Sequence, residues 1–446
     1  MVSRREALIT GAALASGAAM LGSRRAHASQ SDAGGRGWEK SYSGATELPA
    51  LPPGQPGKDY KPVITPNNVA LPWKVVDGVK VYHLVAEELM HEFAPGLKAR
   101  CWGYSGHVHG PTIEAVEGDR VRIYVTNKLD APTSVHWHGI FVPNGMDGVG
   151  GLTQRAIRPK QTFKYEFRLR QHGTFMYHSH HDEMTQMAMG MLGMFVIHPR
   201  NPSAGYRVDR DFALLLSEWK IKPGTMRPDP NEMKDFNLLT MNAKAFPGTA
   251  PLVCKKGDRV RIRLVNLSAM DHHPIHIHGH FFKVVATDGG QIPVSAQQPE
   301  GTVLVPVGSS RDIEFVADAP GDWPLHCHMT HHIMNQMGHG IPNMVGMKPG
   351  DLDDRVRPLL PGYMTMGQDG MGGMGEMQMP VPKNSIPMKG AQGPFDYITM
   401  GGMFTLVKVR ENLTSYDDPG WYKHPKGTVA ELADPKDLAR DGISVS

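Results

Sequence analysis

Six pairs of histidines separated by a single residue run through the chain: His107/His109, His136/His138, His178/His180, His276/His278, His278/His280 and His326/His328. With 23 histidines in 446 residues, random placement gives about one such pair. On a strand, residues two apart point to the same face, so each pair can aim two imidazoles into one cavity. Imidazole suits copper, iron, nickel and zinc. The pattern therefore favours a chain built of strands that present metal ligands in twos.

The strands come in two copies. "VEGDRVRIYVTN" (116–127) is echoed by "KKGDRVRIRLVN" (255–266), and "GTFMYHSHHDEM" (173–184) by "GDWPLHCHMTHH" (321–332). Between them lie short β-rich runs such as "KVYHLVAEEL", "QTFKYEFRLR" and "GMFVIHP", bounded by turn residues. No helical pattern of 10 to 15 residues separates the strands, which excludes a parallel α/β sheet. The expected fold class is all-β, with one sandwich domain at 71–204 and a second at 205–350.

The flanks differ. Residues 29–70 are rich in Gly, Pro and Ser and read as an extended arm without a core of its own. Residues 351–446 open on the methionine- and glycine-rich run "MTMGQDGMGGMGEMQMP" and later hold one strand, "GGMFTLVKVREN", expected at a domain edge. Residues 1–28 carry Arg4 and Arg5, the weakly apolar run "ALITGAALASGAAMLG" and "AHA" ending at Ala28. This is the pattern of a twin-arginine export signal cleaved after Ala28, which implies a periplasmic or secreted protein without stable membrane insertion. A net charge of only +3 sets nucleic acid aside as a partner. Cys101 and Cys254 can pair in an oxidising compartment, but their separation in sequence leaves that pairing open.

The third cysteine sits in "WPLHCHMTHHIMNQMGHG" (323–340). Strand alternation puts Cys327 on one face and both His326 and His328 on the other. One strand then touches two metal sites, with a short covalent path between them. A blue-copper centre takes two His, one Cys and a weak axial ligand, often Met. His332 and Met337 follow Cys327 by five and ten residues, and His273 lies three residues before His276.

Taken together, "HWHG", "HSH", "HPIHIHG" and "HCHMTHHIMNQM" resemble, in order, the four copper motifs of the multicopper oxidases, the laccase family, over residues 70 to 350. The resemblance implies two cupredoxin-like Greek-key sandwiches and four copper ions per functional unit. It implies a type 1 copper on His273, Cys327, His332 and Met337. It assigns a type 2 copper to His136 and His276, and a type 3 pair to His138, His178, His180, His278, His326 and His328. The implied reaction is one-electron oxidation of a small reductant coupled to four-electron reduction of dioxygen to water, with the Cys327 strand relaying electrons. Asp147, in "MDGVGGLTQ", resembles the acidic residue near the type 2 copper that helps deliver protons.

Two departures shape the expectation. The first domain has Ser179 where the second has Cys327, and Met184 where it has His332, so it should lack a blue-copper site of its own. The segment between His180 and His273 is too short for a further sandwich of about 100 residues, which points to the two-domain branch with the type 1 copper in the second domain. Cluster ligands then divide four and four between domains. The resemblance to two-domain oxidases then implies clusters shared head to tail between neighbouring chains, and a homotrimer is expected.

Phenols, Mn(II) and Cu(I) remain open as reductants, and copper tolerance by sequestration is the non-enzymatic reading. A copper nitrite reductase would carry its blue site in the first domain, against Ser179. A structural zinc at 326–332 would use about four ligands and leave the other motifs unexplained. His107 and His109 are expected as ordinary surface imidazoles, His280 as a neighbour of ligands, and His181, His272 and His331 as exposed or hydrogen-bonded. The methionines at 184–194 and 364–379 fit a Cu(I)-binding row or a flexible apolar cover equally well.

Overall fold

The alternation in Arg120–Asn127 dictates how the first sandwich is built. Val121, Ile123 and Val125 are buried, while Arg122, Tyr124 and Thr126 face outward. A computed structural model describes residues 51–222, 224–335, 343–345, 351–356, 358–359, 364–366, 383–386 and 390–444. In it, Arg120–Asn127 lies between Val79–Ala94, a parallel neighbour, and Thr162–Arg168, an antiparallel one. Trp73–Val76 and Leu97–Tyr104 complete this sheet. A second sheet, in the order Ile113–Val116, Leu192–His198, Gly173–His178, His136–His138, closes the core around Trp137, Tyr177, Phe195 and Ile123.

The second sandwich repeats the plan. Arg259–Asn266 pairs parallel with Arg210–Trp219 and antiparallel with Ser309–Val316. The facing sheet runs Leu252–Lys255, Phe404–Arg410, Gly321–Cys327, His273–Ile277, Thr302–Val305. Here both faces of the repeated strand are buried. Val260, Ile262 and Leu264 fill the core, and Arg261 and Arg263 lie buried on the opposite face. Arg263, fully buried, donates to Asp211 at 2.8 Å and to Thr174 Oγ1 of the first sandwich at 2.9 Å. Thr174 in turn donates to Asp312 at 2.7 Å. These charge-assisted bonds hold the two sandwiches in one register.

The strand expected at a domain edge forms as Phe404–Arg410 but lies inside the sheet, parallel to Leu252–Lys255 and antiparallel to Gly321–Cys327. It occupies the place that Leu192–His198 takes in the first sandwich. The reason is visible in its burial, since Phe404 through Val409 are all covered, which an edge strand does not allow. The methionine-rich segment thus enters the chain before the last strand of the second sandwich.

Residues 51–70 run along both sandwiches, bridging at Ile64–Phe212 and Ala70–Thr112. Cys101 and Cys254 are buried, unpaired and in different cores, so no disulfide joins them here. The export signal expected at 1–28 lies outside the described residues. Among the described residues no helix is long and apolar enough to cross a membrane.

Candidate metal centre

Both repeats place their histidines by the same two-strand device. His136–His138 pairs antiparallel with Gly173–His178, with His136 opposite His178. His273–Ile277 pairs with Gly321–Cys327, with His276 opposite His326 and Ile275 opposite Cys327. Alternation sends Trp137 and Tyr177 into the first core and leaves the flanking imidazoles on the other face.

The second sandwich holds a buried trio. Cys327 Sγ lies 3.4 Å from His332 Nδ1 and 3.7 Å from His273 Nδ1, and the two nitrogens are 3.2 Å apart. A point at the centre of that triangle sits about 2 Å from each corner, the reach of a metal–imidazole bond. The rest of each ring is tied so that Nδ1 faces inward. His273 Nε2 hydrogen-bonds Ser268 Oγ at 2.6 Å, and His332 Nε2 lies 3.4 Å from an Asp271 carboxylate oxygen. Burial, then the neighbouring His332, pushes His273 down to about 3, keeping it neutral and able to ligate. Burial pushes the Cys327 thiol up to about 12, so a metal must favour the thiolate for sulfur to serve as a ligand. Thiolate with two imidazoles is a donor set suited to copper.

Two further groups are made of imidazole alone. His136, His138 and His178 bring one ligand atom each within 4.8 Å of one another, and His138 Nδ1 is 3.3 Å from His178 Nε2. His180 joins them, its ring 5.4 Å from that of His136. His178 Nδ1 donates to the Ser179 carbonyl at 2.9 Å, and His136 Nδ1 to the Asp147 carbonyl at 2.8 Å. A carbonyl only accepts, so both rings carry their proton on Nδ1 and leave Nε2 to a metal. In the second sandwich His278 Nε2 and His326 Nε2 are 3.2 Å apart, and the His276 ring lies 4.8 Å from His278 and 5.5 Å from His328. Among the described residues, every ring contact of these eight histidines is with a member of its own group.

Asp147 meets His136 chiefly through its backbone, and its carboxylate lies 3.4 Å from the same nitrogen. Gly148 makes that approach possible. It has φ of +88°, and a Cβ there would fall 1.8 Å from the Val135 carbonyl oxygen. Met337 lies outside the described residues.

Where the first sandwich would need a blue-copper trio it holds hydroxyls and an amide. Thr133, three residues before His136, and Ser179 both donate to Gln186 Oε1, at 2.7 and 2.5 Å. Gln186 Nε2 donates to the Pro132 carbonyl at 2.8 Å. All three side chains are buried and satisfied, and none is a soft donor.

Several neighbouring readings change. His109 is no surface imidazole. It is buried, bonded to Ser217 Oγ at 2.9 Å and stacked on Trp219, and burial pushes it down to about 3. His280 Nδ1 donates to the His278 carbonyl at 3.1 Å. Met189, Met191 and Met194 are buried in apolar clusters or cores, whereas Met184 is exposed; the run 364–379 has only its strand Met364–Met366 among the described residues. Sequence reasoning passed over Ser268, Asp271, Glu183 and Gln186. Only Thr133 was accessible to it, by extending the repeat three residues before each "HxH".

Residues 86–202 and 221–345 each match a family model described as multicopper oxidase. The chain is 28% identical over 322 residues to copper resistance protein A of Escherichia coli, covering 61% of this chain and 51% of that one. It is 31% identical to dihydrogeodin oxidase of Aspergillus terreus, over 67% of this chain and 52% of that one. The chain thus spans about half the length of these relatives. Among solved structures, a blue copper oxidase from Nitrosomonas europaea superposes with a TM-score of 0.56 at 27% identity, over 77% of this chain and 91% of that one.

Proposed function

Starting from a chain that belongs to the multicopper oxidase family, we propose that it oxidises a small reductant one electron at a time and reduces dioxygen to water. The observation that carries this reading is the placement of Cys327. Its sulfur lies in the buried trio, while its sequence neighbours His326 and His328 belong to an imidazole group. Bound copper would supply the redox chemistry, taking single electrons from the reductant and delivering them to dioxygen.

The chain's own contribution is geometric. Ser268 and Asp271 orient the two imidazoles of the trio, and the Ser179, Asp147 and Cys327 carbonyls fix the tautomers of His178, His136 and His326. Strand Gly321–Cys327 provides a continuous covalent path from the trio to the imidazole group. On this reading the donor sets would hold one type 1, one type 2 and two type 3 coppers, with Met337, outside the described residues, as a further ligand to the first. To the Asp147 carboxylate, 3.4 Å from His136 Nδ1, this reading assigns the delivery of protons to the imidazole groups. Cys327→Ser tests the reading: it should abolish the thiolate-to-copper colour and substrate-driven oxygen uptake while copper on the imidazoles persists. A blue, active variant would overturn it.

The split of the eight imidazoles into two separate groups supports a site shared between chains, closed head to tail into a homotrimer. Co-expression of a His136→Ala/His138→Ala chain with a His326→Ala/His328→Ala chain should restore oxygen uptake that neither shows alone. An active, fully copper-loaded monomer by light scattering would sink this arrangement. Export to the periplasm by the twin-arginine route belongs to the same reading, and precursor retained in the cytoplasm after Arg4→Lys/Arg5→Lys would support it.

A second reading, oxidation of a metal ion such as Cu(I) or Mn(II), is favoured by one feature. The Asp271 carboxylate touches His332 and is flanked by the exposed thioether of Met270. The relatives named for copper resistance agree with it. Oxygen uptake compared on a phenol, Mn(II) and Cu(I) separates the two readings, and copper binding without turnover on any of them would leave sequestration.

A further inference from the structure

The two imidazole groups are built alike but not charged alike. On the second-domain side, no carboxylate lies against His276, His278, His326 or His328 among the described residues, and the titratable neighbours of His326 are other histidines. The first-domain side has Glu183. One of its carboxylate oxygens is 3.5 Å from His178 Nδ1 and the other 3.7 Å from His180 Nε2, so a single carboxylate spans both imidazoles of "HSH".

Its position follows from a local difference between the repeats. After His180 the chain enters a left-handed turn at Asp182 (φ 48°) and starts the short helix Glu183–Ala188, anchored from below by Gln186. The matching position after His328 is His331, which is exposed. The helix that fills the vacated blue-copper position thereby carries an acid to the rim of the first-domain imidazoles.

The geometry points to Glu183 as a positioning residue that gives the first-domain imidazoles the tighter hold on copper, so that they load ahead of the second-domain set. This rests on the assignment of His178 and His180 as copper ligands. Two physical effects combine. The Ser179 carbonyl holds the His178 Nδ1–H, and the Glu183 carboxylate 3.5 Å from the same nitrogen adds a negative charge that raises the basicity of the nitrogen left to the metal. The same negative charge offsets part of the positive charge that several neutral imidazoles leave uncompensated on the metals. In a ring of chains, metal would then arrive on a first domain and be capped by the second domain of the neighbour.

The test uses the full-length protein, stripped of copper and titrated with Cu(II) against a competing chelator, with copper per chain measured by elemental analysis. The thiolate absorbance of the Cys327 trio serves as an internal record of folding. Glu183→Gln, which keeps the shape and removes the charge, should weaken copper uptake by the imidazole groups roughly tenfold or more and leave the Cys327 colour unchanged. Glu183→Asp should recover most of the lost affinity. A Gln variant that binds copper with wild-type affinity, or an Asp variant no better than Gln, would overturn the inference. Wild-type protein that took up copper only at the Cys327 trio would overturn the ligand assignment on which it rests.

Discussion

Thr133, Ser179 and Gln186 in the first sandwich occupy the place of His273, Cys327 and His332 in the second. Two of the three stand at identical offsets from the paired histidines, and both trios sit behind the same two-strand pairing. One trio is a closed network of oxygen and amide partners, the other a triangle of soft and borderline donors whose inward nitrogens and sulfur face one another, the sulfur also accepting from the Met329 N–H. The sandwich therefore does not make a metal site by itself. It provides a buried position, and three side chains decide whether that position is satisfied internally or left for an ion. The same holds on the outer faces of the repeated strands, where Tyr124 meets solvent and its counterpart Arg263 is locked against the other sandwich.

That last contrast gives the largest expected effect. Arg263→Met should destabilise the protein by about 3–5 kcal/mol, because the buried Asp211 and Asp312 carboxylates lose their principal partner. Tyr124→Ala, at the equivalent place on a half-exposed face, should cost about 1 kcal/mol or less. Chemical denaturation of both variants measures the difference. Equal shifts would show that the two strand faces are energetically alike despite their different burial.

Gln186→Leu should cost about 2 kcal/mol, since the buried Ser179 and Thr133 hydroxyls lose their shared acceptor. Replacing all three by apolar groups, as Thr133→Val/Ser179→Ala/Gln186→Leu, should recover much of that loss, because no polar group is then left unsatisfied. Copper held at Cys327 should be unaffected in either case. A triple variant less stable than the single one would mean the network stabilises the fold beyond satisfying its own members.

What was legible in the sequence was what strand alternation determines locally. The "HxH" ladders, the repeat and the opposite faces of Cys327 and His326 need only a period of two and neighbours in sequence. What was not legible depends on packing between distant segments. Phe404–Arg410 reads as a lone strand after a low-complexity run, and only the gap between Leu252–Lys255 and Gly321–Cys327 shows why it is interior. Glu183 and Asp271 are near their histidines in sequence, but an acid close by is common, and only the helix start and the turn that aim them give them a role. His109 was misread as a surface residue because Ser217 and Trp219, which cover it, lie in the other sandwich.

His109 therefore contrasts with the donor-set histidines. It is as buried as His273, and burial pushes both down to about 3, yet it is held in the seam between sandwiches, where Ser217 satisfies one nitrogen and the other has no hydrogen-bond partner. Its folded value near 3 lies below the ordinary 6.5, so the unfolded chain binds a proton that the native chain refuses. Stability from this residue is complete above pH 6.5 and declines as the pH falls from there toward 3, by about 1 kcal/mol at pH 5.5 and about 2 kcal/mol at pH 5. His91 donates to the Ala243 carbonyl across the same seam, is pushed by burial to about 4, and adds to the decline in the same direction. His109→Gln keeps a group able to bond Ser217 but removes the proton, so the variant should lose less stability than the parent between pH 7 and pH 5. Measuring both in copper-free form keeps the ligand histidines common to the comparison. Parallel stability curves for the two proteins would mean that His109 is protonated in the fold, and that the seam is wetter than its burial implies.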